Sequence, residues 1–373
     1  MTWILDEQQR MLRDSAQAFL SERMPVSHLR ALRDANAPHG HDPRLWSEFA
    51  GQGYCGVLVP EAHGGLGLGV VEAGLIAEQI GRTLAPSPFF STAVLAAWLL
   101  REKGNLQLSQ AWLPRLASAE VVVALAVDEG GRHRPDRLAT RAVLEDGTWT
   151  LDGAKSFVID GHIADAWIVA AGTGAGTVLL LVPRETPGVT IERSGMVDAH
   201  NAARLRFDSV RVDNSLCIAA PSEGAAWLER VLDVGRVVAA AELLGLADEV
   251  FARTTDYLKQ RKQFGKLIGE FQALQHRAAE LYCDLELTRA LVRQALLAID
   301  RKTEDAALRT AQAKGRASLT ANRAVQEGVQ MHGGIGMTDD LDFGLFMKRA
   351  RVLQELFGDA SFQLNRGALL AGY

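Results

Sequence analysis

A block in the middle of the chain changes the period of the hydrophobic pattern, and this change limits the possible folds more than any other feature. From Glu120 to about Pro221 the sequence contains short β-branched runs, among them TVLLLVP and GVTIE, that are separated by Gly, Pro and Asp. Runs of this kind are typical of strands, and Glu145-Asp146-Gly147 is a favourable hairpin turn. The block therefore predicts a compact antiparallel β sandwich or barrel.

Both flanks of this block have apolar residues at helical spacing. Toward the N-terminus, DEQQRMLRDSAQAFLSER begins a series of helical segments that breaks at Pro- and Gly-rich connectors. Toward the C-terminus, four long amphipathic segments with short joints favour an antiparallel four-helix bundle. They lie near residues 224–262, 270–301, 305–331 and 341–371.

The chain is therefore predicted to be an α+β multidomain protein with three parts. The predicted parts are an N-terminal α-helical domain (1–119), a middle antiparallel β sandwich or barrel domain (120–221) and a C-terminal four-helix bundle (222–373).

Charge and cysteine content exclude several functional classes. The formal net charge is -5 and no single-signed patch stands out, which disfavours a nucleic-acid partner. Three scattered cysteines suit a reducing compartment and fit neither a disulfide framework nor a metal site. The first ten residues contain no basic segment before an apolar run, and the apolar stretch Trp167 to Val182 is broken by Gly and Thr. We expect a cytoplasmic protein without a membrane span or a bound metal.

One motif, RKQFGKLIGEFQ, lies where one long helix is expected to end and the next to begin. Gly265 supplies the turn, Arg261 offers a planar fork suited to a pyrophosphate, and Gln272 is a neutral hydrogen-bonding group. The alternative is an ordinary helix hairpin with a solvated arginine. Local chemistry alone leaves both interpretations open.

A second motif, QMHGGIGM, closes the third predicted helix of the bundle. A Gly-Gly pair allows backbone N–H groups to approach a ligand closely, although a helix C-cap uses glycines as well. His332 has no partner at metal-ligand spacing and is interpreted as a packing residue.

The order and separation of these two motifs, together with the loop VPEAHGGLGL, resemble the acyl-CoA dehydrogenase family over essentially the whole chain. In detail the sequence is similar to the branch related to the small subunit of pimeloyl-CoA dehydrogenase. The features that carry this similarity are DEQQRMLRDS, the loop after Pro60 and Leu356-Phe-Gly-Asp-Ala360. The resemblance implies a flavoprotein of fatty acid metabolism. Such an enzyme removes two hydrogens from an acyl-CoA thioester, forms a 2,3-enoyl-CoA and passes electrons to an electron-transfer flavoprotein.

In that family FAD lies between the middle domain and the bundle, and a neighbouring subunit holds part of it. The resemblance therefore implies at least a dimer, usually a dimer of dimers. The positions that it assigns to the cofactor are Arg261, Gln263, Phe264, Phe271, Gln272, Gln330, Gly333, Gly334, Phe157, Ser361 and Gln363.

The expected flavin contacts of the middle domain are altered. Phe157 replaces the family's shielding tryptophan, whereas Ile159 stands where the family has a threonine and cannot donate its hydrogen bond. The family's Gly- and Ser-rich loop after the first middle-domain strand reads Ala126-Val-Asp-Glu-Gly-Gly-Arg132. We expect the redox tuning of the flavin to differ accordingly.

Alignment with the family's base motif puts Asp359 in the position of the catalytic glutamate, on a stem one methylene shorter. The alternative interpretation makes Asp359 a turn or N-cap residue after Gly358. Gly235 occupies the base position of other relatives and cannot serve. Glu242 lies about two helical turns further on and is the nearest rival carboxylate; it could also line the acyl pocket, bind a polar acyl group or pair with an arginine of the bundle.

The remaining positions that the resemblance assigns to the substrate, its CoA arm and its thioester are Asp233, Arg236 and Ala360. Three functional hypotheses follow. The first is an acyl-CoA dehydrogenase active as a homo-oligomer, and the second is a silent or weakly active partner subunit in a heterotetramer. The third is an acyl-CoA oxidase-like flavoprotein that uses oxygen.

Overall fold

The computed structural model describes residues 5–373, with helices in both flanks and a β-rich segment between them. The N-terminal helices are α1 (Glu7–Arg23), α2 (Val26–Asp34), α3 (Pro43–Gly51), α4 (Val70–Thr83), a π-helix (Phe89–Ala96), α5 (Ala97–Lys103) and α6 (Leu106–Ala117). The C-terminal helices are α7 (Gly224–Leu258), α8 (Gln272–Asp300), α9 (Ala306–His332), α10 (Phe343–Glu355) and α11 (Ala360–Leu370).

The strands form an eight-stranded sheet and a small separate hairpin. Those of the sheet are β1 (Val123–Ala126), β2 (Arg141–Glu145), β3 (Thr148–Ile159), β4 (Ala166–Thr173), β5 (Gly176–Pro183), β6 (Val189–Gly195), β7 (Asn201–Asp213) and β8 (Cys217–Ala219). The hairpin consists of β9 (Lys262–Gln263) and β10 (Lys266–Leu267).

The order of strands in the sheet is β6-β7-β3-β2-β4-β5-β8, and β1 pairs with β4. The pairing is antiparallel except at β1 with β4 and β2 with β4. The predicted hairpin is present, with Glu145 opposite Thr148 and positive φ angles of 47° at Asp146 and 75° at Gly147. Alternate side chains of these strands point to one core around Trp149, Trp167 and Phe207.

Two compact units divide the described chain, and neither is continuous in sequence. The bundle unit contains residues 5–31, 70–85 and 236–373, and the sheet unit contains residues 32–69 and 86–235. The predicted helical N-terminal block is thus shared between the two units. Burial of apolar surface against distant segments, rather than order along the chain, sets the composition of each unit.

Within the bundle unit, α4 and α7 approach each other so closely that glycine is required on both helices. A Cβ on Gly81 would overlap the backbone oxygen of Glu242, and a Cβ on Gly245 would overlap that of Glu78. The contact explains why residues 70–85 belong with the C-terminal helices. No other residue type leaves room for this backbone-to-backbone packing.

Candidate functional site

The fourth segment of the predicted bundle is two helices rather than one. It was expected to be helical over residues 341–371, but α10 ends at Glu355 and α11 begins at Ala360. Between them Phe357 and Gly358 have positive φ angles of 55° and 101°, which no α-helix accommodates. The resulting turn, Leu356 to Asp359, carries the predicted base.

Asp359 caps the N-terminus of α11 with one carboxylate oxygen. Its Oδ1 accepts a hydrogen bond of 2.8 Å from the backbone N–H of Phe362, and the side chain is half-buried. No donor among residues 5–373 lies within hydrogen-bond distance of Oδ2. The two interpretations of Asp359, cap and base, are therefore compatible, because each needs a different oxygen.

Three buried side chains hold the carbonyl groups of this turn. Arg236 Nε donates to Phe357 O at 3.1 Å, and Gln363 Nε2 donates to the same oxygen at 2.8 Å and to Gly358 O at 3.3 Å. Lys314 Nζ donates to Gln354 O at 3.0 Å and to Gly358 O at 3.4 Å. Donors on α7, α9 and α11 thus fix the backbone just before Asp359.

Two of these residues, Arg236 and Gln363, are positions that the family resemblance assigns to ligands. Both side chains are 0% exposed. Arg236 Nε and Gln363 Nε2 donate to the turn, where the carbonyl groups have no helical partner. Ala360 is also buried, whereas Ser361 is exposed at the start of α11.

Lys314 is the most unusual of the three because it is a fully buried amine. Its neighbours Ser318, Gln354 and Gly358 supply only neutral oxygens. Burial, helped by the nearby positive charge of Arg236, lowers the pKa of Lys314 from 10.5 to about 7. A lysine in this state can change charge near neutral pH.

Glu242 forms the arginine pair that was the alternative to a pocket role. Its Oε1 accepts hydrogen bonds of 2.7 Å from both Nε and Nη2 of Arg349, and its side chain is 3% exposed. A buried carboxylate held in this way is a structural group rather than a free base. Asp233, in α7, is buried as well.

The motif that contains Arg261 forms an exposed hairpin between α7 and α8. Phe264 and Gly265 make its turn with φ angles of 53° and 78°, and the Phe264 side chain is 91% exposed. Arg261, Gln263 and Gln272 are exposed as well. The hairpin packs through Ile268 and Phe271 and presents its polar residues outward.

The glycines of the second motif leave open space at the end of α9. A Cβ on Gly333 or Gly334 would meet no atom within 4 Å, and Gly333 has a φ of 66°. Gln330 is exposed beside them. His332 is a packing residue, as predicted: it stacks on Tyr257 at 4.2 Å between ring centroids and contacts Phe343 at 4.3 Å. Burial lowers the pKa of His332 below 6.5.

In the sheet unit, a β-bulge presents Phe157. Lys155 pairs with Leu205 and Val158 with Ala203, so β3 has one extra residue there. Phe157 takes a positive φ of 54° and is 56% exposed. An aromatic ring held outward by a strained backbone is available to cover a planar ligand.

Comparison with known proteins identifies the chain. Models of the acyl-CoA dehydrogenase N-terminal, middle and C-terminal domains match residues 6–120, 124–210 and 222–368. The chain belongs to the acyl-CoA dehydrogenase family. The enzymes of this family depend on FAD and oxidise CH–CH bonds.

Several relatives cover nearly the whole chain. The acyl-CoA dehydrogenase IpdE2 of Mycobacterium tuberculosis is 30% identical over 362 residues, which is 96% of each protein. A variant of the steroid ACAD Tcur3481-Tcur3483 is 30% identical with a TM-score of 0.90 and covers 98% of each chain. A chain in a structure of the electron transferring flavoprotein of Acidaminococcus fermentans is 26% identical with a TM-score of 0.92 and covers 100% of each chain.

The residues of this acyl-CoA dehydrogenase family member fit part of the FAD molecule directly. Open space over Gly333 and Gly334 allows a phosphate or a ring edge to approach the backbone, and Arg261 and Gln263 are accessible on the hairpin. In the sheet unit Phe157 is accessible too, but Ile159 offers no hydroxyl group.

Several polar residues near these positions were missed in the sequence. Lys155 is 1% exposed and its Nζ lies 2.7 Å from Glu129 Oε1. Burial would raise the pKa of Glu129, but the hydrogen bond and charge of Lys155 hold it below its usual value. A lone lysine among small residues, AQAKGRAS around Lys314, was the available signal for the second buried amine.

Two features are absent from the residues that the structure describes. Across residues 5–373 no group of His, Cys, Asp and Glu side chains could hold a metal ion. None of the helices in that range combines the length and the apolar character that crossing a membrane requires.

Proposed function

We propose that this chain catalyses the FAD-dependent α,β-dehydrogenation of an acyl-CoA thioester, with Asp359 as the base. The observation that carries the proposal is that the two oxygens of the Asp359 carboxylate have different surroundings. Oδ1 is fixed by the N–H of Phe362, and Oδ2 has no donor within residues 5–373. A carboxylate held by one oxygen and open at the other is suited to proton transfer.

The roles of the chain's own residues follow from this geometry. Asp359 Oδ2 takes the proton from the α carbon, and the bound flavin supplies the acceptor for the hydride that leaves the β carbon. Arg236, Lys314 and Gln363 keep the Phe357–Gly358 backbone in place, and with it the Asp359 side chain. Their contribution is positioning, because each acts on the turn and not on the reacting atoms.

The two roles of Asp359 can be separated by two substitutions. Asp359→Asn keeps a capping oxygen but cannot accept the proton, whereas Asp359→Ala removes both functions. We expect acyl-CoA to bleach the visible flavin band of the wild-type holoprotein without oxygen, and both variants to lose this bleaching. Bleaching by Asp359→Asn at the wild-type rate would show that the base is elsewhere.

The acyl group itself is best approached with a panel of thioesters that differ in length, branching and distal polarity. The steroid ACAD is the similar protein that motivates inclusion of ring-containing acyl groups. The electron acceptor that we propose is an electron-transfer flavoprotein, a choice supported by the similarity to a chain in the Acidaminococcus structure. Peroxide release during turnover would instead favour the oxygen-using alternative.

A heteromeric assembly is the second candidate. Ile159 removes a flavin hydrogen bond expected from the family, and the similar steroid ACAD carries the names of two gene products. In this candidate the chain gains activity only with a different partner subunit. Colourless purified protein that acquires flavin and turnover on co-expression with a second dehydrogenase subunit would support it, and turnover by the chain alone would exclude it.

Self-association is proposed for the exposed hairpin. Arg261, Gln263 and Phe264 extend from the bundle unit with few intramolecular contacts, as expected for residues that serve a neighbouring subunit. Sedimentation analysis of wild type and Phe264→Ser tests this directly. The resemblance to the pimeloyl-CoA dehydrogenase branch, the domain boundaries and a cytoplasmic location stay predictions.

A further inference from the structure

A basic surface lies in the sheet unit on the loop between β1 and β2. Residues 129–137, here called the arginine loop, contain Arg132, Arg134 and Arg137 within six positions. With Glu129, Gly130 and Gly131 these arginines line a cavity of about 550 Å³. That volume is in the range of small-molecule sites, and three of the six residues lining it are cationic.

Internal contacts hold the arginine loop at several points. Glu129 accepts hydrogen bonds from Lys155 Nζ and from the backbone N–H groups of Ala139 and Thr140. His133 Nδ1 lies 2.7 Å from Asp128 Oδ1, and its side chain is only 5% exposed. The loop is therefore fixed from inside, at its beginning, middle and end.

These same contacts engage the acids next to the arginines. The Glu129 carboxylate is engaged by Lys155, and Asp128 is engaged by His133. Because His133 points inward, the exposed Arg132 and Arg134 on either side of it extend toward solvent.

The arginines themselves are nearly without partners inside the described chain. Within residues 5–373 neither Arg132 nor Arg134 forms an ion pair or a side-chain hydrogen bond. Arg137 Nε lies 3.7 Å from Asp136 Oδ2, with both side chains about three-quarters exposed, and such a pair contributes little. In a protein of net charge -5 these three arginines form a local group of positive charges, with Glu129 and Asp136 as the acids beside them.

The chemistry of the surface selects phosphate. Guanidinium groups bind phosphate oxygens in a bidentate manner, and the Gly130-Gly131 backbone has no side chains to keep an anion away. The Gly130 and Gly131 N–H groups donate to no backbone carbonyl within residues 5–373. Several cations around one cavity suit a ligand with more than one phosphate.

We propose that the arginine loop binds the phosphates at the nucleotide end of coenzyme A. The proposal rests on the proposed function, which supplies a substrate that carries a 3′-phosphate and a 5′-diphosphate on one adenosine. FAD offers a diphosphate without the 3′-phosphate, so the two sources can be told apart by that group.

The first experiment uses calorimetry to measure direct binding to the purified holoprotein. In the holoprotein the FAD site is already filled. The probes are adenosine 3′,5′-bisphosphate, ADP and inorganic phosphate. The loop variant is Arg132→Gln/Arg134→Gln. Its matched control is Arg44→Gln/Arg211→Gln, which removes the same charge from exposed positions of the same unit.

We expect the bisphosphate to bind wild type and control equally and the loop variant at least about tenfold more weakly, as for one lost charge-assisted contact. Equal binding to all three proteins, or binding to none, would overturn the proposal. Binding of ADP as tight as that of the bisphosphate, and equally dependent on the loop, would overturn the assignment to coenzyme A.

A second experiment separates the loop from the catalytic proposal. With acyl-CoA as the substrate, the loop variant should have a KM at least about tenfold higher than that of wild type and an unchanged kcat. With the matching acyl-pantetheine, wild type and the loop variant should have the same kcat/KM. An unchanged KM for acyl-CoA would contradict the role of the loop. If none of the thioesters bleaches the flavin of the wild-type protein, the proposed function fails. The calorimetry still decides whether the loop binds the bisphosphate.

Discussion

Two lysines are almost completely buried among residues 5–373, one in each compact unit, and their surroundings differ in one respect. Lys155 is 1% exposed and reaches a carboxylate, Glu129, at 2.7 Å. Lys314 is 0% exposed and reaches two carbonyl oxygens and the hydroxyl of Ser318. Each stabilises a segment that carries a proposed site, the arginine loop in one case and the Asp359 turn in the other.

The difference shows what a counterion does for a buried amine. Burial lowers the pKa of both lysines, and in Lys155 the adjacent Glu129 opposes that decrease. For Lys314 the opposing charges, Glu355 and Asp359, act without direct contact, and Arg236 adds repulsion, so its pKa falls to about 7. Lys155 thus forms a charged structural pair with Glu129. Lys314 holds its turn at a cost in folding free energy that depends on pH.

The largest expected effect is on the pH dependence of stability. The unfolded chain keeps the proton of Lys314 up to about pH 10.5, and the folded chain loses it near pH 7. Between these values the unfolded state binds more protons, so the free energy of unfolding rises with pH, and below pH 7 the penalty is fully present. Compared with Lys314→Met, wild type should gain up to about 4 kcal/mol between about pH 7 and pH 10. Denaturant unfolding at several pH values measures this, and parallel curves would contradict it.

Lys155→Met should have the next largest effect. It leaves the Glu129 carboxylate without its cation, and breaking a buried pair from one side costs roughly 3 kcal/mol when one partner is partly exposed. Urea denaturation monitored by tryptophan fluorescence measures the loss. Lys155→Met/Glu129→Gln is the control, because removal of both charges should recover part of the stability. If Lys155→Met alone were as stable as wild type, the pair would contribute nothing to the free energy of unfolding.

Gln363→Glu should give Lys314 an adjacent carboxylate, as Lys155 has in Glu129. Gln363 and Lys314 both reach Gly358 O, at 3.3 and 3.4 Å, so a carboxylate at residue 363 would lie beside the amine. An adjacent opposite charge shifts a pKa by at least about one unit, and here the shift is upward. The pH range over which stability changes should move upward by that amount. Gln363→Met provides the control without charge, and an identical pH profile in the two variants would refute the comparison.

The smallest effect concerns the cap of α11. Asp359→Ala should lower the free energy of unfolding by about 1 kcal/mol, because the N–H of Phe362 loses its acceptor. Asp359→Asn should change it by only a few tenths of a kcal/mol, since asparagine caps nearly as well. Thermal unfolding of the two variants checks this difference. Equal losses would show that charge, rather than the capping hydrogen bond, stabilises the turn.

Local signals were sufficient for much of the fold. The strand block, the hairpin at Glu145–Gly147 and the packing role of His332 follow from period, turn residues and spacing, which depend on near neighbours. The motif glycines were informative for the same reason, because open backbone at Gly333 and Gly334 is a local property. The family resemblance added the cofactor and the reaction, which no local pattern specifies.

Other features depended on contacts that a single sequence does not display. Gly358 followed by Asp359 was a visible turn signal, yet the helical period on both sides favoured one continuous helix. The burial of Arg236 and Gln363 depends on a backbone break that three helices share. The conformation of the arginine loop depends on the contacts of Glu129 with Lys155 and of His133 with Asp128.

The close crossing of α4 and α7 has a consequence for synthesis. During synthesis, the part of α4 that contains Gly81 leaves the ribosome long before Gly245, its counterpart in α7, has been made. Until then the apolar residues of that helix lack their final neighbour, and the unit to which it belongs cannot close. A nascent chain of this protein therefore depends on late-arriving sequence to cover an early helix, which makes prolonged exposure to chaperones an expected part of its biogenesis.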